Sequence, residues 1–459
     1  MYSQKVDLQN CISLLEQHQQ VIRVKSEVNP VHELSGIAKK LEGGPVIVFE
    51  HVKGSCFPVV TGLYGNRDNL ALIFGCTAAD LPFYLDRAVQ EWLRNPVEPV
   101  IVDHAPSQEV IQEKPNLYEI PTPTISLEDG GPYYASSLVI AKDPDTGVRN
   151  ASVHRIMVTG KDRLTMLLGT GGHLKDYFER AEKQGKSVEI TINNGVDPLA
   201  FFASIIPSTS VPIDRDELGI VSSLLGHPME LCRSKTVSVE GIANAQVIIE
   251  GEILPGVREP EGPFGEVTGY YGTRADRWAV RVKAITRRRE PIISALLPSK
   301  ESYVALGVPM EAGLYRMVSN AVTGVKAVRM HDGGCGTYHA VIQMEPARAG
   351  MGKVAICAAF AASPSIQMVT VVNEDVDLSS AEDLMWAMST RFSPDEDTVL
   401  IPNMSSQTIN PISANGCSAK IGFDCTVPVP RTDRFKRAAY QEVDLSQYDI
   451  VYPGYKMGR

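Results

Sequence analysis

Two glutamates flank a short turn in the segment Glu261-Gly-Pro-Phe-Gly-Glu266. On a regular strand, side chains five positions apart point to opposite faces of the sheet. Gly262, Pro263 and Gly265 favour a chain reversal that turns both carboxylates into one cleft, where one of them could act as a general acid. The alternative is a surface turn that carries two solvated acids.

Three further segments carry residues that could do chemistry. Asn150-Ala-Ser-Val-His-Arg155 is typical of a strand, and the chain must bend within it if Asn150 and Arg155 are to serve one site. Gly169-Thr-Gly-Gly-His173 precedes a helical stretch, as in a phosphate nest, although glycine-rich turns are common elsewhere. Asp214-Arg-Asp-Glu217 opens another helix, where the helix dipole alone would also favour acidic residues.

The composition is that of an ordinary globular protein, with 44% hydrophobic and 21% charged residues. A length of 459 residues favours two or three domains. The net charge of -10 argues against a general nucleic-acid-binding protein, which would present a basic surface. The 8 cysteines form no CxxC pair, and neither a signal-peptide pattern nor a membrane-spanning apolar run is visible. We therefore expect a cytoplasmic protein with reduced thiols and no membrane partner.

The elements that would position these residues change in character along the chain. Residues 1–115 mix helices and short strands, which predicts an N-terminal α/β domain ending in a proline-rich connector. Residues 116–305 carry β-branched runs between turn residues, which predicts an open barrel or curved antiparallel sheet with helical inserts. Residues 306–459 predict an α/β domain with a helix from Val308, a helix capped by Ser379 and a polar C-terminal arm.

These four segments and a fifth near the C-terminus together resemble the UbiD family of reversible decarboxylases, which use prenylated flavin mononucleotide (FMN). In chain order they are NASVHR at 150–155, the turn at His173, DELGIVSSLLGHPMEL at 216–231, EGPFGE at 261–266 and SANGCSAKIGFDCT at 413–426. Each motif is weak alone, but their order and spacing are specific. The resemblance covers roughly residues 110–430. It implies a three-domain α/β-plus-β architecture with a central flavin-binding split β-barrel and a C-terminal α/β domain that dimerises.

The resemblance also implies roles for individual residues. Asn150, His173 and Glu217 fall where the family places ligands of a divalent metal, expected to be Mn²⁺, with K⁺ as a further candidate ion. Arg155, Glu261 and Glu266 match the family's catalytic network, in which the arginine binds the substrate carboxylate, Glu261 positions Arg155 and Glu266 donates the proton. The expected cofactor-binding residues are Asn150, Ser152, Val153, Arg155, Gly172, His173, Glu217 and Lys420, the last of which would reach the cofactor phosphate.

The implied function is non-oxidative decarboxylation of a small aromatic or heteroaromatic acid, of the hydroxybenzoate, furan carboxylate or pyrrole carboxylate type, with release of CO₂. The cofactor would serve as an electron sink through a covalent substrate adduct, and a separate flavin prenyltransferase would supply it. A homodimer or homohexamer is expected.

Two other functions stay open. One is a flavin oxidoreductase on a split barrel, which needs neither the glutamate–arginine network nor the metal. The other is a non-catalytic accessory subunit of a decarboxylase complex, which would be expected to lack one of the three catalytic residues.

Overall fold

A computed structural model describes residues 7–169, 171–206, 211–413, 415–430 and 432–449. Thr170 of the predicted phosphate nest and residues 450–459 of the predicted arm lie outside these ranges. The helices in the described ranges are α1 (Leu8–Gln17), α2 (Glu33–Lys40), α3 (Arg67–Phe74), α4 (Leu81–Arg94), α5 (His173–Lys183), α6 (Pro198–Ala203), α7 (Leu218–Leu225), α8 (Lys300–Ala321), α9 (Met351–Ala362) and α10 (Ala381–Arg391). Among these described helices, none has the length and apolar character needed to cross a membrane.

The N-terminal region is built on a small mixed sheet. In spatial order its strands are β1 (Val21–Val28), β2 (Val46–Val52), β3 (Val59–Thr61) and β18 (Ile293–Ser294). The side chain of Asp7 accepts a hydrogen bond from the backbone N–H of Asn10, which caps α1. Because β18 pairs with β3, the chain returns to the N-terminal sheet immediately before it enters α8.

The central region carries a large antiparallel sheet, which has nine strands within the described residues. Along the sheet they are β6 (Tyr133–Tyr134), β9 (Ile156–Val158), β10 (Arg163–Met166), β17 (Ala275–Arg287), β14 (Val247–Glu261), β11 (Val188–Asn194), β7 (Leu138–Lys142) and β8 (Arg149–Val153), with β5 (Val110–Gln112) paired to β17. A separate three-stranded sheet is formed by β4 (Val100–Ile101), β12 (Glu230–Cys232) and β13 (Gly241–Ile242), with β12 in the middle.

The chain passes between the two ends of the central sheet at the β8–β9 connection. β8 is the outermost strand at one end, and β9 is second from the other end. Only residues 154 and 155 separate these strands, and so short a link spans about 10 Å at most. The two ends must therefore lie close together, which curls the sheet into a half-barrel. Arg155 lies in this link, and the bend predicted between Asn150 and Arg155 is confirmed.

A long hairpin of the central sheet carries the turn that contains both glutamates. β14 and β17 pair up to the Glu261–Ala275 position. Beyond that position the chain forms a second, small hairpin of β15 (Phe264–Gly265) and β16 (Tyr271–Gly272). Glu261 thus ends a strand of the main sheet, whereas Glu266 follows β15 in the small hairpin.

The C-terminal region is a mixed sheet with helices on both faces. In spatial order its strands are β19 (Val325–Met330), β20 (His339–Met344), β21 (Met368–Val372), β23 (Cys417–Cys425) and β22 (Thr398–Ser405). Helices α8 and α9 pack on one face, where their apolar residues share a core with β19–β21. Helix α10 packs on the other face, against Val341 and Val372.

Two sequence-based boundaries in this region were wrong. Helix α8 begins at Lys300 rather than Val308 and contains Pro309. Gly307 packs against Met330 and the backbone of Gly336. These tertiary contacts override the low helix propensity of glycine, so the helix begins earlier than local propensity predicts. The cap of α10 is Ser380, not Ser379, because the Ser379 hydroxyl donates to Asp377 instead.

Candidate active site

Arg155 lies between the two glutamates of the turn. Its Nη2 donates to Oε2 of Glu261 at 2.7 Å, and its Nη1 donates to Oε1 of Glu266. Glu261 is fully buried, and the side chains of Arg155 and Glu266 are largely shielded from solvent. The Nε of Arg155 is also buried and has no hydrogen-bond partner among the described residues. The structure therefore brings these three residues together and leaves the Nε–H of the guanidinium, among other N–H groups, for another acceptor.

Backbone features of the two hairpins make this arrangement possible. Gly262 has a φ of 90°, a conformation that side-chain-bearing residues rarely adopt. A Cβ at Gly272 would lie 2.8 Å from Nη1 of Arg155, so a larger residue there would displace the pair with Glu266. The carboxylate of Asp129 accepts from the backbone N–H of Gly265 at 2.8 Å and so holds the turn from outside.

Tyr133 is a residue of this site that sequence reasoning missed. Its hydroxyl donates to Oε1 of Glu261 at 2.9 Å. Burial and the neighbouring Glu261 carboxylate raise the pKa of Tyr133, so its hydroxyl stays protonated as a donor. The ring of Phe264 lies 4.4 Å from that of Tyr133 and 5.5 Å from the guanidinium carbon of Arg155. Tyr133 is one of two adjacent tyrosines in β6, and the sequence alone does not distinguish a site residue in such a pair from a core residue.

The three predicted metal ligands form a second cluster. Glu217 accepts hydrogen bonds from Nδ2 of Asn150 at 2.9 Å and from the backbone N–H of Ala151 at 2.7 Å, both on Oε2. Its Oε1 lies 3.2 Å from Nδ1 of His173. This hydrogen bond to Glu217 raises the pKa of His173. The first residue of α5, the residue preceding α7 and strand β8 thus converge on one point.

The donor set of this cluster fits a divalent cation such as Mn²⁺, because it combines an imidazole nitrogen with carboxylate and amide oxygens. Within the described ranges, no group of three or more His, Cys, Asp or Glu side chains could hold a metal. A metal here would therefore need the amide of Asn150 as its third protein ligand.

The remaining predicted cofactor-binding residues divide into two groups. Ser152 and Val153 follow Asn150 on β8, and Gly172 immediately precedes α5, so these three lie next to the metal-ligand cluster. Lys420 is a buried residue on β23 of the C-terminal sheet. Its Nζ donates to the backbone carbonyl of Pro364 at 3.0 Å, and burial lowers its pKa to about 8. Among the described residues, no hydrogen bond or ion pair joins Lys420 to the other predicted site residues. Its contact with a cofactor phosphate stays a prediction.

His154 belongs to the same segment but was assigned no role from the sequence. Its Nε2 lies 2.9 Å from the hydroxyl of Ser152, and its Nδ1 lies 3.2 Å from the backbone carbonyl of Leu167. Burial lowers the pKa of His154 to about 4, so the ring is neutral near pH 7.

The sequence matches three profiles of one family along most of its length. They describe the N-terminal, Rift-related and C-terminal domains of 3-octaprenyl-4-hydroxybenzoate carboxy-lyase, and match residues 12–88, 100–301 and 303–425. The chain belongs to the UbiD family. This confirms the family suggested by the five motifs.

Known structures and sequences agree with this assignment. The fold is similar to that of the UbiD-class enzyme HmfF from Pelotomaculum thermopropionicum, solved in complex with FMN, with a TM-score of 0.92 and 38% identity over 96% of this chain and 100% of that one. It is also similar to apo 3,4-dihydroxybenzoic acid decarboxylase from Enterobacter cloacae, with a TM-score of 0.90 and 30% identity over 96% and 98% of the two chains. Anhydromevalonate phosphate decarboxylase of Methanothermobacter thermautotrophicus is 33% identical over 92% of this chain and 98% of its own. These likenesses confirm the predicted UbiD-like fold class.

Proposed function

We propose that this UbiD-family chain is a carboxy-lyase that removes CO₂ from a small aromatic or heteroaromatic acid, with prenylated FMN and Mn²⁺ as cofactors. The observation that carries the proposal is the guanidinium of Arg155, held between Glu261 and Glu266 with a buried N–H left unpaired. Similarity to a 3,4-dihydroxybenzoic acid decarboxylase supports the aromatic substrate class, and similarity to an FMN complex supports the flavin. Hydroxybenzoates and furan or pyrrole carboxylates are the proposed substrates.

In this proposal Arg155 binds the carboxylate that leaves. A guanidinium offers its donors in a planar fork that matches a carboxylate, and such contacts are strong where water is excluded. Glu261 is fully buried and receives hydrogen bonds from both Arg155 and Tyr133. It is thus anchored on two sides and acts as the positioning group for Arg155.

Glu266 is the proposed proton donor. It contacts the same guanidinium that would bind the substrate, so a substrate carboxylate at Arg155 would weaken the ion pair between Nη1 and Glu266. Loss of that ion pair frees Glu266 to take up a proton from solvent, which it delivers to the ring carbon after CO₂ departs. The same residues, acting in reverse, would support carboxylation.

The cofactor would be held by the second cluster. Asn150, His173 and Glu217 would bind the metal, and the metal would tie the cofactor phosphate to the protein. Ser152, Val153 and Gly172 lie beside this point, and Gly172 leads into the N-terminus of α5, where backbone N–H groups favour anions. The bound prenylated flavin would supply the electron sink that an amino-acid side chain cannot.

The function is tested with protein co-expressed with a flavin prenyltransferase. We expect CO₂ release from 3,4-dihydroxybenzoate, furan-2-carboxylate or pyrrole-2-carboxylate, and exchange of the product's ring hydrogen in deuterated water. An unsaturated aliphatic acid that bears a phosphate should be included, because several relatives carry the name anhydromevalonate phosphate decarboxylase. Turnover of that compound alone would overturn the aromatic class.

Flavin-dependent oxidation of a substrate without CO₂ release would favour an oxidoreductase, and a chain that binds no flavin would favour an accessory subunit.

The metal assignment is tested by Glu217→Ala. Because Glu217 contacts both Asn150 and His173, this variant should lose Mn²⁺ and the flavin together, as measured by elemental analysis and absorbance of the dialysed protein. The matched control is Glu179→Ala, which removes a half-exposed carboxylate of α5 that pairs with Lys175. Full manganese occupancy in the Glu217 variant would contradict the assignment.

A further inference from the structure

Ser152 lies between two groups that can each accept its hydroxyl proton. Its Oγ is 3.1 Å from Oδ1 of Asn150 and 2.9 Å from Nε2 of His154. A hydroxyl has a single proton, so Ser152 can donate to only one of them at a time. The choice decides whether Oδ1 of Asn150 is hydrogen-bonded or left as an acceptor without a donor.

The orientation of the His154 ring settles this choice. A backbone carbonyl can only accept, so Nδ1 of His154, which faces the carbonyl of Leu167 at 3.2 Å, carries the ring proton. A neutral imidazole then has its lone pair on Nε2. Nε2 therefore accepts from Ser152 and draws the hydroxyl proton away from Asn150.

Asn150 has no freedom to avoid the consequence. Its Nδ2 donates to Glu217 at 2.9 Å, which fixes Oδ1 on the side of Ser152. With the Ser152 proton directed to His154, lone pairs of Ser152 and Asn150 face one another across 3.1 Å. A nearby cation stabilises such a pair of oxygens, whereas an empty site leaves them in mutual repulsion.

We propose that His154 is a positioning residue that keeps Oδ1 of Asn150 available for the divalent metal by holding the Ser152 hydroxyl proton. The inference rests on the proposed function, in which Asn150 is a metal ligand. Without His154, the hydroxyl would donate to Asn150 and stabilise the metal-free site. Metal binding would then have to compete with that hydrogen bond.

The test is a Mn²⁺ titration, followed by electron paramagnetic resonance, of the full chain reconstituted with FMN. His154→Ala should weaken Mn²⁺ binding roughly three- to tenfold, the equivalent of about one neutral hydrogen bond. His154→Gln should bind more tightly than His154→Ala, because a side-chain amide oxygen can still accept from Ser152. In the double variant His154→Ala/Ser152→Ala the competing hydroxyl is gone, so Mn²⁺ affinity should recover to that of Ser152→Ala alone.

The recovery distinguishes a hydrogen-bond role from a purely structural one. A cavity left by His154 would weaken binding in the double variant at least as much as in the single one, and that outcome would overturn the inference. Failure of the proposed function looks different: the wild-type protein would bind no Mn²⁺, or Glu217→Ala would bind it normally.

Discussion

At the scale of single residues, Glu261 and Glu266 share one guanidinium but have different surroundings. Glu261 is fully buried and accepts from Tyr133 as well as from Arg155. Glu266 follows the turn and meets Arg155 from the side of the small hairpin. In the proposed mechanism the first holds the arginine, and the second exchanges a proton with the substrate.

Replacing Glu266 with Gln should therefore remove the chemical step and little else. The amide keeps the shape of the side chain but cannot deliver an acid proton, so turnover should fall by about 10²–10⁴-fold. Manganese and flavin content should stay at the wild-type level. Exchange of the product's ring hydrogen in deuterated water should fall in parallel, since it uses the same proton transfer.

The matched control for this variant is Glu259→Gln, which alters an acid on the neighbouring strand β14 that pairs with Arg163 instead of Arg155. Its turnover should stay close to that of the wild type. Near-normal turnover of Glu266→Gln would instead make Glu261 the next candidate for the proton donor.

Tyr133→Phe tests the group that sequence reasoning missed. The change removes a hydrogen bond to a buried carboxylate, and such bonds contribute about 1.5–3 kcal/mol. We expect the free energy of unfolding in urea to fall by about that amount, with a loss of turnover because Glu261 is held less firmly. Tyr338→Phe is the control, since the hydroxyl of Tyr338 is buried without a partner among the described residues. A Tyr133 variant as stable and active as this control would show that the contact is unimportant.

Residue identities could be read from the sequence only where a motif marks them. The GPFG turn indicated that Glu261 and Glu266 could converge, and the structure places both on Arg155. Tyr133 could not be found in this way, because its partner lies 128 positions away in sequence. The role of Lys420 at the phosphate rests on its motif alone and stays a prediction; among the described residues its amine contacts the Ser363 and Pro364 carbonyls.

At the scale of elements, the site depends on how closely the small hairpin approaches β8–β9. β16 presents Gly272 to the pair formed by Arg155 and Glu266, where a Cβ would meet Nη1 at 2.8 Å and Oε1 at 3.1 Å. The periodicity of the sequence located the long strands of this sheet. It could not indicate the closeness of this approach, which depends on contacts between distant segments.

Gly272→Ala should separate Arg155 from Glu266 while leaving the metal-ligand cluster intact. We expect flavin and manganese to be retained and kcat to fall at least tenfold, because small displacements of catalytic groups have effects of that order. Gly313→Ala is the control, since a Cβ there meets nothing within 4 Å and alanine is favoured inside helix α8. Equal kcat values for the two variants would show that the hairpin tolerates the added methyl group.

At the scale of the whole molecule, helix α8 connects the N-terminal and C-terminal parts of the fold. Arg67 of α3 forms an ion pair with Glu311 of α8, and Glu311 also accepts from the backbone N–H of Met330 on β19 at 2.9 Å. At the start of the helix, Glu301 accepts from Thr61 of the N-terminal sheet at 3.2 Å. The sequence predicted a domain border within this helix. It could not indicate that the helix connects distant segments, because side-chain contacts between such segments leave no periodic pattern. The domain limits and the dimerising role of the C-terminal region stay predictions.

Glu301 should make the stability of this junction depend on pH. Burial raises its pKa from the ordinary value of 4.5 to about 7, so the folded protein favours the neutral carboxyl. Its contribution to stability is therefore complete below pH 4.5 and is lost as the pH rises through about 7.

Glu301→Gln keeps a neutral side chain at every pH. Relative to the wild type, this variant should gain up to about 3 kcal/mol of unfolding free energy between pH 4.5 and 7. Urea unfolding of both proteins at pH 5 and pH 8 measures the difference. Parallel behaviour of the two proteins across this range would show that Glu301 is ionised in the folded state throughout, with the Thr61 hydroxyl and the nearby backbone N–H groups stabilising its charge.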